Sequence, residues 1–167
     1  MTGPNKPSDY LHQGRHDRLL KEMDHDPYHS KVKLAEPTLC PECGAIFHKG
    51  RWCWGDAPAG ADEHLCPACQ RVRDRVPAGF LSASGEFFIE HKAEITHLIH
   101  NIEQRQKSEH PLQRIMGSEE SADAMEWQFT DAHLARAAGE ALHHAYQGEL
   151  DFQYGDEDIL LRVRWHR

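Results

Sequence analysis

Residues 40–75 read CPECGAIFHKGRWCWGDAPAGADEHLCPACQRVRDR, and the two C-x-x-C pairs in this stretch decide the local fold. Each pair sets two thiols on a tight turn, and twenty-two residues separate Cys43 from Cys66, a spacing in the range used by two-knuckle metal sites. Four thiolates close a tetrahedron around Zn²⁺ with bonds of about 2.3 Å. The pattern therefore predicts one structural Zn²⁺ held by Cys40, Cys43, Cys66 and Cys69 in a zinc ribbon. Both pairs begin Cys-Pro and Gly44 follows the first. Knuckles of this kind turn backbone N–H groups toward the leading sulfur, which a permissive residue helps. A redox C-x-x-C pair would open a helix after a buried strand in a βαβ pattern, and neither pair has that setting. A catalytic zinc would keep one coordination position open, and four cysteines leave none.

Other residues that could carry chemistry read more plainly. Cys53, between Trp52 and Trp54, reads as a small buried hydrophobe, with replacement of a ligand or oxidant sensing as the alternatives. His48 and His64 flank the knuckles and rank below the cysteines as ligands. Among fourteen histidines, His97 with His100 and His143 with His144 lack partners at spacings that complete a shell, so they read as solvated helix faces. Asp156, Glu157 and Asp158 read as turn chemistry. The chain contains no P-loop, no G-x-G-x-x-G, no G-x-S-x-G and no H-E-x-x-H. No catalytic constellation is announced, so the expected class is a non-enzymatic recognition protein.

Recognition has better material. Lys49, Arg51, Trp52 and Trp54 lie on the ribbon loop, and Arg71, Arg73 and Arg75 follow the second knuckle. Guanidinium groups bind phosphate and indoles stack on bases, which makes these seven residues the candidate RNA contacts. The alternative is that the tryptophans serve as core and the arginines as a solvated face.

Beyond the ribbon, the 167 residues are 39% hydrophobic and 28% charged, a composition suited to small modules rather than one large core. The net charge of −8 argues against coating nucleic acid by bulk attraction. Residues 116–167 carry eleven acidic and four basic side chains, so seven of the eight net charges lie there and the remainder is near neutral. Without an apolar run long enough to span a bilayer, or a signal-peptide core in MTGPNKPSDY, the expected setting is the cytoplasm with no membrane partner.

Four segments follow. Residues 1–36 read as an extended or disordered arm with one short helix near 15–24. Residues 37–76 form the ribbon. Within 77–124, a helix capped by Ser82 or Ser84 carries Phe88, Ile95, Leu98, Ile99 and Ile102 at helical spacing to about Lys107, and Leu112 to Ala124 read as a linker. Residues 125–167 form a β-α-β-β module. Met125, Trp127 and Phe129 alternate, Leu134, Ala138, Ala141, Leu142 and Ala145 recur helically, and Leu150, Phe152 and Tyr154 precede Ile159, Leu161, Val163 and Trp165. In the last strand Arg162, Arg164 and His166 take the opposite, basic face, and a one-residue slip would bury the two arginines. The predicted class is α+β.

CPECG at 40–44, LCPACQR at 65–71 and FTDAHLARAAGEALHHAYQGELDFQYGDEDILLRVRW at 129–165 resemble a bacterial group of small zinc-ribbon proteins. That group is itself similar to part of the archaeal and eukaryotic nonsense-mediated decay protein three. The resemblance covers roughly residues 38–167. The larger family binds the large ribosomal subunit at its subunit-joining face, and it carries further C-x-x-C pairs and domains that this chain lacks. The resemblance implies a ribosome-associated factor that contacts large-subunit rRNA or proteins, blocking subunit joining or protecting idle ribosomes under stress. The alternative is a zinc-ribbon adaptor in transcription or stress regulation that binds a protein through its C-terminal module.

Overall fold

The computed structural model describes residues 27–28, 33–155 and 160–167. The expected helix near 15–24 and the turn carboxylates Asp156, Glu157 and Asp158 lie outside these. The architecture is α+β, with a small ribbon sheet and a larger helix-backed sheet.

The ribbon is built from β1 (Thr38–Leu39), β2 (Ile46–His48), β3 (Arg51–Cys53), β4 (Asp62–Glu63) and helix α1 (Pro67–Asp74). Its strand order is β3-β2-β1-β4, with β4 parallel to β1. His48 pairs with Arg51, so Lys49 and Gly50 form the two-residue hairpin loop. Both have positive φ, 51° and 74°, the backbone that a type I′ turn requires. Glu36 fixes this loop, its carboxylate accepting from Lys49 N at 2.8 Å and Gly50 N at 3.0 Å.

The second unit runs β5 (Gly79–Ser84), α2 (Glu86–Glu109), β6 (Ile115–Glu120), β7 (Ala124–Phe129), α3 (Ala132–Tyr146), β8 (Glu149–Tyr154) and β9 (Leu161–His166). The strands lie in the order β6-β7-β5-β9-β8. β9 is parallel to β5, while β7 is antiparallel to it and β6–β7 and β8–β9 are antiparallel pairs. The unit is two interleaved, split β-α-β crossovers with β9 slotted beside the central strand. Strand alternation works as the sequence predicts: Leu161, Val163 and Trp165 are buried, and Arg162, Arg164 and His166 are exposed. The sheet's inner face meets Phe88, Ile95, Ile99 and Ile102 of α2 and Leu134, Ala135, Ala138 and Leu142 of α3 in one apolar core.

Two expectations need correction. The stretch from Leu112 to Ala124 is not a linker, because Ile115–Glu120 forms edge strand β6. The residues Ser82 and Ser84 do not cap α2; they belong to central strand β5, and Gly85, at φ 108°, stands before the helix. The expected boundary at 124/125 therefore falls inside a single sheet that spans residues 79–166. β6 escapes a hydrophobicity reading because it is an edge strand whose residues from Gly117 onward are exposed. β5 escapes because two of its three inward positions, Gly79 and Ala83, are small. A Cβ on Gly79 would stand 2.7 Å from Ala135 Cβ, so α3 lies almost against the strand backbone.

Candidate metal centre

The first knuckle sits between β1 and β2, and the second caps α1. Gly44, at φ 79°, lets the chain return so that Cys40 N donates to Ala45 O at 2.8 Å and Gly44 N to Cys40 O at 3.0 Å. Cys66 is the N-cap of α1, with Pro67 at its first turn; the Cys66 sulfur accepts from Cys69 N at 3.4 Å. Cys66 N in turn donates to the Cys40 sulfur at 3.3 Å, which links the two knuckles through the backbone.

The four sulfurs of Cys40, Cys43, Cys66 and Cys69 all lie within 4.8 Å of one another, and those of Cys43 and Cys66 are 3.7 Å apart. A tetrahedral site with metal–sulfur bonds of about 2.3 Å has edges of about 3.8 Å. All four are free thiols rather than disulfides. They can hold one metal ion. No other cluster of metal-ligating side chains occurs among the described residues. Neither His48 nor His64 joins the sulfurs, and Cys53 turns away to donate to Ile46 O at 3.4 Å.

The electrostatics of the set divide, with Cys40 lowered and burial raising the thiols of Cys66 and Cys69. Burial acts to raise the Cys40 thiol, but backbone N–H groups of Cys66, Cys43 and Glu42 outweigh it and lower the pKa to about 7. Burial raises Cys66 well above the ordinary thiol range, and the nearby charges of Cys43, Cys69 and Cys40 add to it. Three or four mutually repelling thiolates in a buried pocket need a cation, which is what a divalent metal supplies.

A second cation is already present in the protein. Arg114, between α2 and β6, extends Nη2 to 3.3 Å from the Cys66 sulfur and 3.3 Å from the Cys69 sulfur. Its Nε is buried without a partner among the described residues. A half-buried guanidinium gains from a counter-charge, and its placement beside two sulfurs suits a site that carries negative charge. Burial acts to lower the Arg114 pKa, and the hydrogen bond to Cys69 and the charges of Cys69, Cys66 and Cys43 more than reverse this.

The seven candidate RNA contacts separate into two groups. Lys49, Arg51, Arg73 and Arg75 are exposed, with Arg73 paired to Glu42 and Arg75 closing α1 at φ 57°. The other three take structural positions. Trp52 is half-buried edge-on to Phe47, ring centroids 5.5 Å apart. Trp54 remains 38% exposed and donates Nε1–H to Lys107 O at 2.7 Å, tying the ribbon to the end of α2. Arg71 is 2% exposed, donates to Val76 O at 3.0 Å and lies 4.3 Å over the Tyr28 ring. A cleft of about 840 Å³ opens between the hairpin and the α2–β6 loop, walled by Phe47, Trp52, Leu65, His110 and Leu112.

Arg114 is the site residue that sequence reading misses. It stands forty-five positions or more from the sulfurs it touches, in a stretch whose polarity signals a loop. No local pattern marks it. Among the described residues, no helix is long and apolar enough to cross a membrane. No family model, curated protein or solved structure matches the chain.

Proposed function

We propose that the protein is a non-enzymatic RNA-binding factor, organised by one structural zinc ion, that docks on the large ribosomal subunit. Four cysteine sulfurs within 4.8 Å of one another support zinc as the metal, and four such ligands would leave it no open position for chemistry. The observation that carries the reading is the hairpin tip. Lys49, in a type I′ turn whose N–H groups the Glu36 carboxylate holds, and Arg51, at the start of β3, place two exposed cations on a fixed hairpin. Arg75, which closes α1, adds a third exposed cation, while Arg73 is paired with Glu42. Fixed cations on a rigid element bind phosphate without the ordering cost of a flexible tail. The choice of the large subunit rests on the resemblance of the cysteine motifs and C-terminal module to the ribosome-binding family, with subunit anti-association or ribosome hibernation under stress as its setting.

Sedimentation of extracts from stressed cells through sucrose gradients tests this. The protein should comigrate with large subunits, and the triple variant Lys49→Glu, Arg51→Glu, Arg75→Glu should stay at the top of the gradient while keeping its metal. On purified subunits the same variant should flatten the slope of log affinity against log salt by roughly two to three. Wild-type protein that never leaves the top fractions sinks the proposal.

An adaptor that binds a protein partner through the C-terminal module is the second reading. It draws on the exposed edge strand β6, which carries Glu119 and Glu120 in the acidic third of the chain. Capture of a partner that survives nuclease and high salt would favour it, because phosphate contacts weaken steeply with salt.

A further inference from the structure

Arg114 has a built support. The loop that carries it is held by Thr130, at the end of β7, and by Glu103 on α2, both more than nine-tenths buried. Thr130 Oγ1 donates to Leu112 O at 2.6 Å and accepts from Arg114 N at 2.9 Å, while Thr130 N donates to Arg114 O at 2.9 Å. Glu103 accepts from Ile115 N at 2.8 Å. The backbone on both sides of Arg114 is thereby fixed to the large sheet and to α2, and its guanidinium ends on the sulfurs of the ribbon. Leu112, from the same loop, packs against the small cluster of Cys40, Ala45, Cys66, Ala68 and Cys69.

We infer that Arg114 is a positioning residue that makes the cysteine site a lock between the two units, so that metal occupancy and the seating of the ribbon on the sheet are coupled. The inference rests on the zinc reading above. Four thiolates around Zn²⁺ carry a net charge of −2, and a guanidinium at 3.3 Å from two of the sulfurs offsets one of these charges. Removal of the metal takes away the ion that gathers the four sulfurs, so the two that hold the half-buried guanidinium at 3.3 Å are no longer fixed and its hold on the ribbon weakens. Linkage is reciprocal: whatever the metal contributes to seating the ribbon, the seated ribbon contributes to metal affinity. Arg114 hydrogen bonds also withdraw charge from sulfur, a role outer groups commonly play toward metal ligands.

The test uses the full chain loaded with Zn²⁺ or Co²⁺. Arg114→Gln should bind Zn²⁺ roughly 10–100-fold more weakly in chelator competition. In the Co²⁺ form its sulfur-to-metal charge-transfer band should move to lower energy, because sulfurs without the guanidinium donate more readily; a merely structural loss would not move the band. Arg114→Lys, which keeps the charge without the fork, should fall between. In wild-type protein, removing Zn²⁺ should strip hydrogen-exchange protection from Arg114, Ile115 and Thr130 amides, residues outside the ribbon. In Arg114→Gln, protection at Ile115 and Thr130 should no longer depend on metal. If Arg114→Gln does not fold, Thr130→Val serves instead, loosening the loop while leaving the guanidinium in place, with zinc affinity expected to fall about three-fold or more. Equal Zn²⁺ affinity and an unmoved Co²⁺ band in the first variant, or unchanged affinity in the second if it must stand in, would overturn the inference. Wild-type protein that takes up no stoichiometric Zn²⁺ overturns the zinc reading itself, a separate result.

Discussion

In the ribbon, residues 38–75, no strand exceeds three residues and the buried apolar set is Cys40, Ala45, Ile46, Cys66, Ala68 and Cys69 with a few half-buried neighbours. In the sheet unit, residues 79–166, each of the five strands has six residues, and the core holds Trp127, Phe129, Trp165 and thirteen further buried side chains. The apolar area a chain can remove from water limits how far it can offset the entropy of ordering its backbone. The sheet unit has that area and the ribbon does not. In the ribbon, four sulfurs close enough to hold a metal ion stand where a core would be, among its helix, hairpin and parallel strand.

The comparison breaks most sharply if metal is withdrawn. Structural zinc in small finger peptides contributes an apparent 10–16 kcal/mol, on the order of a whole domain's stability. Chelation, or Cys66→Ser, should therefore abolish the ribbon's amide dispersion in NMR spectra while β5, β7 and β9 keep theirs. Loss of both sets together would show that the sheet unit leans on the ribbon; retention of both would remove the metal from the account of the fold.

A middle-sized effect tests the tightness of the sheet core. Gly139 lies inside α3, where alanine ordinarily gains about 1 kcal/mol of helix propensity. Here its Cβ would stand 2.5 Å from Val163 Cγ1, a stiff β-branched group on β9. Overpacking should win, so Gly139→Ala is expected to lower stability by about 1–2 kcal/mol in urea unfolding, with zinc affinity unchanged. A gain in stability would mean that α3 floats over the sheet more loosely than its contacts indicate.

The smallest effect concerns Asp131, the N-cap of α3, which accepts from His133 N at 2.7 Å and Leu134 N at 3.3 Å. Burial raises its carboxyl pKa, against the lowering influence of the His133 charge, these two N–H groups and Arg71 of the ribbon. The folded protein then holds this proton more tightly than the unfolded chain does. Stability from this group is full below the unfolded carboxyl range near 3.9, declines as pH rises through the raised folded value, and levels off above it. Asp131→Asn keeps an acceptor for the cap and has no proton to lose. Its urea midpoints should decline less than wild type as pH rises from about 4; parallel curves would exclude Asp131 as the source.

Much of this was legible before any coordinates. The C-x-x-C pairs of the ribbon, the stripe Phe88, Ile95, Ile99, Ile102 and the alternation of Leu161, Val163 and Trp165 are local patterns, and each names its own element. They are readable because helix and strand periodicities are properties of neighbouring residues. Strands β5 and β6 were not readable. The inward positions of β5 include Gly79 and Ala83, small because α3 sits close above it, and β6 is polar because most of it is exposed at an edge. In both, the deciding partner is distant in sequence. Arg71 shows the same limit in another way, since its spacing matches that of Arg73 and Arg75 but burial against Tyr28 separates it from them.

By itself, the sequence determined that four cysteines would gather, that an amphipathic helix would follow them and that the last strand would turn its arginines outward. These outcomes depend on covalent spacing and on the sorting of apolar from polar side chains along one element. Only the tertiary structure decided that the strands within residues 79–166 form one five-stranded sheet, and that Arg114, in the loop before β6, reaches the sulfurs of Cys66 and Cys69. A buried charge chooses its partner by distance and desolvation in three dimensions, and neither quantity is written in the order of residues.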